Sequence, residues 1–190
     1  MNRRHALRHI ALISGGLALI PSCDFSKEDI LAAYENLKIT ATQKALIASI
    51  SDSIIPAGEI KGALDLAVPD FILVMVNDCF TKENQEKFTA GLEAFPEYAE
   101  KTAGKKFADL SSKEKETLLL QGLALTGDEN PEGTVLAQVG YFLSSTKRFT
   151  IQGYMVSEYI QTEIIPYSLI PGEYNGAVLI ADIQKTRVNG

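Results

Sequence analysis

Few side chains in this 190-residue sequence could carry out chemistry, and their types decide which chemistry. There are two histidines, His5 and His9, and two cysteines, Cys23 and Cys79. Both histidines lie among Arg3, Arg4 and Arg8, ahead of an apolar run from Ile10 to Ile20, in a segment that reads as a secretory signal too short to span a bilayer. The chain left after its removal has no histidine. That excludes a Ser-His or Cys-His nucleophile pair, a His-ligated metal and the commonest general base. Among the carboxylates, Asp65 and Asp70 are spaced to flank a helix start, where an acid complements the positive end of the helix, so capping is expected rather than catalysis. Glu158, inside the apolar block Tyr154–Tyr159, is the one acid in a setting suited to general-base work; its plainer reading is a snorkelling or partner-paired carboxylate. The cationic pair Lys147-Arg148 could answer it, or could meet a partner subunit. The aromatic set Tyr141, Phe142, Phe149, Tyr154, Tyr159, Tyr167 and Tyr174 is mostly core by composition, with tyrosines near the terminus suited to an interface. No glycine-rich dinucleotide cradle, phosphate loop or Cys-x-x-Cys-His haem motif occurs. No catalytic residue, cofactor-binding residue or metal ligand is therefore expected in this chain.

The leader itself carries information. Asn2-Arg3-Arg4-His5-Ala6-Leu7-Arg8 resembles the twin-arginine signal that exports folded proteins, although Ala6 stands in place of the usual phenylalanine and leaves the general export route open. Ile20-Pro21-Ser22-Cys23 resembles a bacterial lipoprotein box, in which the cysteine is acylated and becomes the new N-terminus; Pro21 departs from that pattern, and a simple cleaved peptide with Cys23 as a spare thiol is the alternative. With Cys23 acylated, Cys79 is the only thiol and no intramolecular disulfide can form. Residues 1–22 hold three of the 18 basic side chains and none of the 24 acidic ones, so the remainder sets 15 against 24, a net charge of −9. So acidic a surface lacks the basic footprint that nucleic acid or anionic lipid requires. The expected location is exported and periplasmic, held to a membrane through Cys23.

These residues need elements to position them, and the pattern is helical throughout. From Thr134 to Ile165 apolar residues recur at Val135, Val139, Phe142, Phe149, Val156 and Ile160, the period of a buried helix face. An unbroken helix there would measure about 45–50 Å, which predicts a bend, with Gly153 its natural place, and an end at Pro166. Lys147-Arg148 argues against this helix spanning a membrane. Thr40 or Thr42 can cap a helix carrying Leu46, Ile47, Ile50 and Ile54, stopped at Pro56-Ala57-Gly58. Pro69 suits the first turn of the next, whose run Phe71 to Val76 is apolar all round and predicts deep burial. Thr81–Lys101 is amphipathic, with Pro96 predicting a break or kink, and Phe107 and Leu110 read as loop anchors. Ser111-Ser112-Lys113-Glu114 is a capping box opening a leucine-rich helix. The fold class is all-α: a signal over 1–22, a tether and short helix over 23–39, and one irregular domain of five to seven helices over 40–190, with a long C-terminal helix and an extended tail from Pro166.

Two stretches carry a family resemblance: Ser53-Ile54-Ile55-Pro56-Ala57 with Gly62-Ala63, Asp65, Val68 and Phe71, and Gly153-Tyr154, Ser157-Glu158, Pro171-Gly172, Tyr174 and Gly176. Together with Arg3-Arg4 they resemble the gluconate 2-dehydrogenase subunit 3 family. The sequence departs from that pattern at Lys61, where a proline is usual, and at Glu173 and Ala177, which replace an arginine and a cysteine. The resemblance implies a non-catalytic partner of a large FAD-dependent dehydrogenase of the glucose-methanol-choline class, with a cytochrome c subunit as a further associate. It implies FAD in that partner and none here, and a role in exporting and maturing the flavoprotein. An exposed apolar patch around Tyr154, Glu158, Ile170-Pro171-Gly172 and Tyr174 is the expected interface. The alternatives are a stand-alone helical envelope lipoprotein with a ligand-binding or structural role, and an enzyme relying on Asp, Glu, Tyr and Lys alone.

Overall fold

Side chains that cap their own helices fix where most of the elements begin. In the structure, a computed structural model describing residues 31–125, 131, 133–165 and 177, Thr40 opens α1 (Ala41–Ile54) with a reciprocal box: its Oγ1 accepts from the Gln43 amide at 3.2 Å while its own amide donates to Gln43 Oε1 at 3.0 Å. Ser111 and Glu114 make the same box at α4 (Ser112–Leu123), and Thr81 and Thr134 cap α3 (Lys82–Ala103) and α5 (Val135–Met155). Such caps satisfy amides that the first helical turn leaves without partners. Pro69 sits in the first turn of α2 (Val68–Cys79), where its missing N–H costs nothing. Three 3-10 turns (Ala32–Tyr34, Leu64–Leu66, Phe107–Asp109) and a π-helical turn (Ile160–Ile164) complete the described elements, and no β-strand occurs among the described residues. The all-α class is therefore observed.

α5 is the centre, packing against all four other α-helices. Its inward face, Val139, Phe142, Leu143, Phe149 and Thr150, is buried. Phe142 meets Phe88 edge-on at 5.1 Å and Phe95 at 5.9 Å, and Phe95 meets Phe107 at 5.2 Å, so one aromatic stack ties α5, α3 and the turn after α3 together. α2 runs antiparallel to α5, with Phe71 beside Gly153 and Phe80 beside Phe149 and Tyr141. The segment before α1 belongs to this body too: Tyr34, Leu37 and Ile39 are buried, and the Leu31 amide donates to the Ile39 carbonyl at 2.8 Å.

Three expectations are corrected. The long helix does not bend at Gly153 and continue; α5 ends at Met155. Side chains take over the carbonyls that would have carried it on, Ser157 Oγ donating to Tyr154 O at 2.7 Å and Gln161 Nε2 to Met155 O at 2.6 Å, and the chain resumes as the π-helical turn. Gly153 serves packing instead: a Cβ there would lie 2.6 Å from Phe71 Cδ1. Pro96 neither breaks nor ends α3, which runs through it. Pro96 is exposed while Leu92, Phe95 and Ala99 are buried on the opposite side, and that burial outweighs the roughly 3 kcal/mol an interior proline costs. The run Phe71–Val76 is not buried all round, since Val74 faces outward, 45% exposed. The signal with Arg3 and Arg4, Cys23, the tether up to residue 30, Pro166, Tyr167 and the tail with Pro171, Gly172 and Tyr174 lie outside the described residues.

Candidate functional site

The first motif stretch and the described part of the second, Gly153-Tyr154 and Ser157-Glu158, about ninety residues further along the chain, meet at one end of the bundle. The Tyr154 hydroxyl donates to the Lys61 carbonyl at 2.7 Å, and burial pushes that hydroxyl's pKa upward. One element further on, the Lys61 ammonium lies 4.7 Å from the centroid of the Tyr159 ring, a cation–π contact that closes the same pair of segments from the other side. The loop it comes from is built tightly. The Ala63 amide donates to the Ile55 carbonyl at 2.9 Å, and the Gly62 amide donates to Asp65 Oδ2 at 2.9 Å. A Cβ on Gly62 would fall 2.4 Å from the Ala57 nitrogen, a backbone atom that cannot step aside. Ala67 then adopts φ 51° and ψ 29°, a left-handed conformation that costs an alanine about 1–2 kcal/mol, to turn the chain into α2.

Between these segments lies a polar groove of about 530 Å³, lined by Lys61, Asp65, Ser157, Glu158, Tyr159 and Thr162 among others. The same segments also expose large apolar side chains: Ile60 and Leu64 on the loop, Ile151, Met155 and Val156 at the end of α5. Val156 is 58% exposed and Leu64 46%. The same two segments thus present a polar groove and exposed apolar side chains, which makes them the candidate interaction surface.

Of the expected interface residues, Tyr154 and Glu158 are brought to this face; Tyr154 is buried and acts as its fastener, Glu158 is exposed on the groove wall. Glu158 does not pair with Lys147-Arg148. The Arg148 guanidinium instead lies 4.5 Å from the Phe149 ring centroid and 5.8 Å from that of Phe80, a cation–π contact with aromatic rings of both α5 and the residue that ends α2. Asp65 serves the loop, accepting from Gly62. Asp70 does more than complement its helix start: it accepts from the Tyr34 hydroxyl at 2.7 Å and is ion-paired to Lys44, which holds its carboxyl below the usual range. Burial first, and then the bond to Asp70, push the Tyr34 hydroxyl up to about 12. Sequence reasoning missed this Tyr34–Asp70–Lys44 clasp and the Lys61–Tyr159 contact, because both join residues far apart in the chain. Lys61 stood out only as a departure from the family pattern.

Among the described residues no three His, Cys, Asp or Glu side chains gather to hold a metal ion, and no described helix is long and apolar enough to cross a membrane. Neither the curated proteins nor the solved structures contain a match to the chain. The family described as gluconate 2-dehydrogenase subunit 3 matches residues 41–172, from the first residue of α1 through the first motif stretch and the second as far as Gly172. The chain belongs to the gluconate 2-dehydrogenase subunit 3 family, which makes it an accessory subunit of a dehydrogenase complex.

Proposed function

We propose that this chain is the non-catalytic small subunit of a periplasmic, membrane-associated, FAD-dependent sugar or alcohol dehydrogenase, and that it aids export and maturation of the flavoprotein subunit. The flavin and the substrate pocket belong to that larger partner, and a cytochrome c subunit is a further associate. The leader with Arg3-Arg4 supplies the export address, and acylated Cys23 supplies the membrane tether.

The observation that carries this reading is the face where the two family stretches meet. Interior contacts hold it rigid, through Tyr154–Lys61 and Gly62 against Ala57, yet it leaves Leu64, Met155 and Val156 in water. A chain that needed only its own stability would gain from covering those side chains, each worth roughly 1.5–3 kcal/mol on full burial. A partner surface does that.

The test is co-purification from the native host with a tag on this chain. A large flavoprotein is expected to accompany the wild-type chain and to be lost from the double variant Met155→Asp/Val156→Asp, whose thermal unfolding stays close to wild type. A monomer with no flavoprotein in the wild-type preparation contradicts the proposal and returns the chain to the stand-alone lipoprotein reading.

A further inference from the structure

The charges on the proposed partner face say what a partner must bring to it. Three carboxylates, Asp65, Glu158 and Glu163, line its groove against one cation, Lys61, a net charge of −2. Lys61 is held to the wall, its ammonium 4.7 Å from the Tyr159 ring centroid, and Asp65 gives one oxygen to the Gly62 amide at 2.9 Å. Glu158 and Glu163 are exposed, and their carboxylates have no hydrogen-bond or ion-pair partner among the described residues.

Those acids alone would call for nothing, because water solvates an exposed carboxylate well. Their chain neighbours change the case. Ile60 precedes Lys61, Leu64 precedes Asp65, Val156 precedes Ser157 and Ile164 follows Glu163, and these four apolar side chains are 38–58% exposed. Consecutive residues lie about 3.8 Å apart, so each of the four borders a residue of the groove lining. A protein that covers the apolar side chains therefore also strips water from Glu158 and Glu163. Burying two carboxylates that way is strongly unfavourable unless the covering surface supplies cations.

We infer that the flavoprotein subunit meets this groove with a basic side chain set among apolar ones, its cation against Glu158 and Glu163 and its apolar neighbours over Ile60, Leu64, Val156 and Ile164. The inference rests on the reading that a flavoprotein docks on this face, and adds the chemistry of the surface that it docks with. An anionic surface would meet like charge here, and a wholly apolar one would leave two carboxylates without water or partner.

The test takes the flavoprotein that co-purifies with the wild-type chain, separates it, and measures its affinity for the wild-type chain and for variants at about 0.05 and 0.5 M salt, where screening differs severalfold. Glu158→Gln/Glu163→Gln, at exposed positions, should bind about tenfold more weakly at low salt and lose most of the wild-type salt dependence. Lys61→Met keeps the carbonyl that Tyr154 uses but removes the one cation of the groove lining, so it should bind more tightly at low salt. Undiminished affinity of the glutamine variant, or weaker binding by Lys61→Met, would overturn the inference; the partner reading would stand so long as Met155→Asp/Val156→Asp still released the flavoprotein. A wild-type chain that brings down no flavoprotein would overturn that reading, and the inference with it.

Discussion

The middle of α5 and its C-terminal end are made of similar residues put to opposite uses. In the middle, Phe142 is sealed within a ring of Phe88 and Phe95, and nothing on that face reaches water. One helical turn beyond Ile151 the same helix stops, and Met155 and Val156 stand exposed beside a loop whose geometry is enforced by a glycine, a buried tyrosine and a left-handed alanine. The contrast separates buried from displayed apolar surface along one helix. Burial in the middle holds the five helices together, and the rigidity it provides lets the end display apolar surface without collapsing over it.

Changes in the middle should cost most. Phe142→Ala removes the ring shared by α3 and α5 and is expected to lower stability by about 3–5 kcal/mol, read by urea unfolding. A loss below ~1 kcal/mol would erase the distinction between the two regions. The middle also holds a flaw whose repair sharpens the comparison. The Thr146 hydroxyl is buried with no hydrogen-bond partner among the described residues, so Thr146→Val, nearly the same shape, should raise stability by about 1 kcal/mol. At the end of the helix, Tyr154→Phe deletes the bond to Lys61 and should cost about 1 kcal/mol or less globally. Amide exchange should quicken selectively between residues 55 and 68, a local loosening that Phe142→Ala would not imitate.

The smallest effects belong to the clasp that holds the N-terminal segment. Folded Tyr34 keeps its proton up to about 12 while the unfolded residue releases it near 10.0, so stability should fall as pH rises from 10 toward 12. Asp70 has the opposite sense. Its folded carboxyl stays ionised below the unfolded value of about 3.9, so the stabilisation is present above that pH and is lost as pH falls through the depressed folded value. Asp70 and Lys44 side chains are 48% and 36% exposed, so solvent screening keeps the acid limb within about 0–1 kcal/mol. Lys44→Met should remove most of it, seen in thermal melts across pH.

What could be read from sequence was local. The capping box of Ser111 with Glu114 and Pro69 at a first turn are signals within four residues, and each sits where the sequence puts it; of the two caps offered, Thr40 or Thr42, the structure uses Thr40. The all-α class followed from apolar spacing in the same way. What escaped depends on contacts far along the chain. Pro96 is tolerated because Phe95 is held by Phe107 and Phe142, and α5 ends at Met155 because Ser157 and Gln161 fold back on its last carbonyls. The candidate site was half legible: Tyr154 and Glu158 were picked out through the family pattern, whereas Lys61, which fastens the face through both its carbonyl and its ammonium, was visible only as an exception.

The central claim is that this subunit lends shape and address while another chain holds the flavin. The most direct measurement separates the purified complex into its chains under native conditions and determines flavin content and dye-linked substrate oxidation for each. The account predicts that both stay wholly with the large subunit and that this chain alone has neither. Flavin retained by this chain, or turnover by it without the larger subunit, would contradict it.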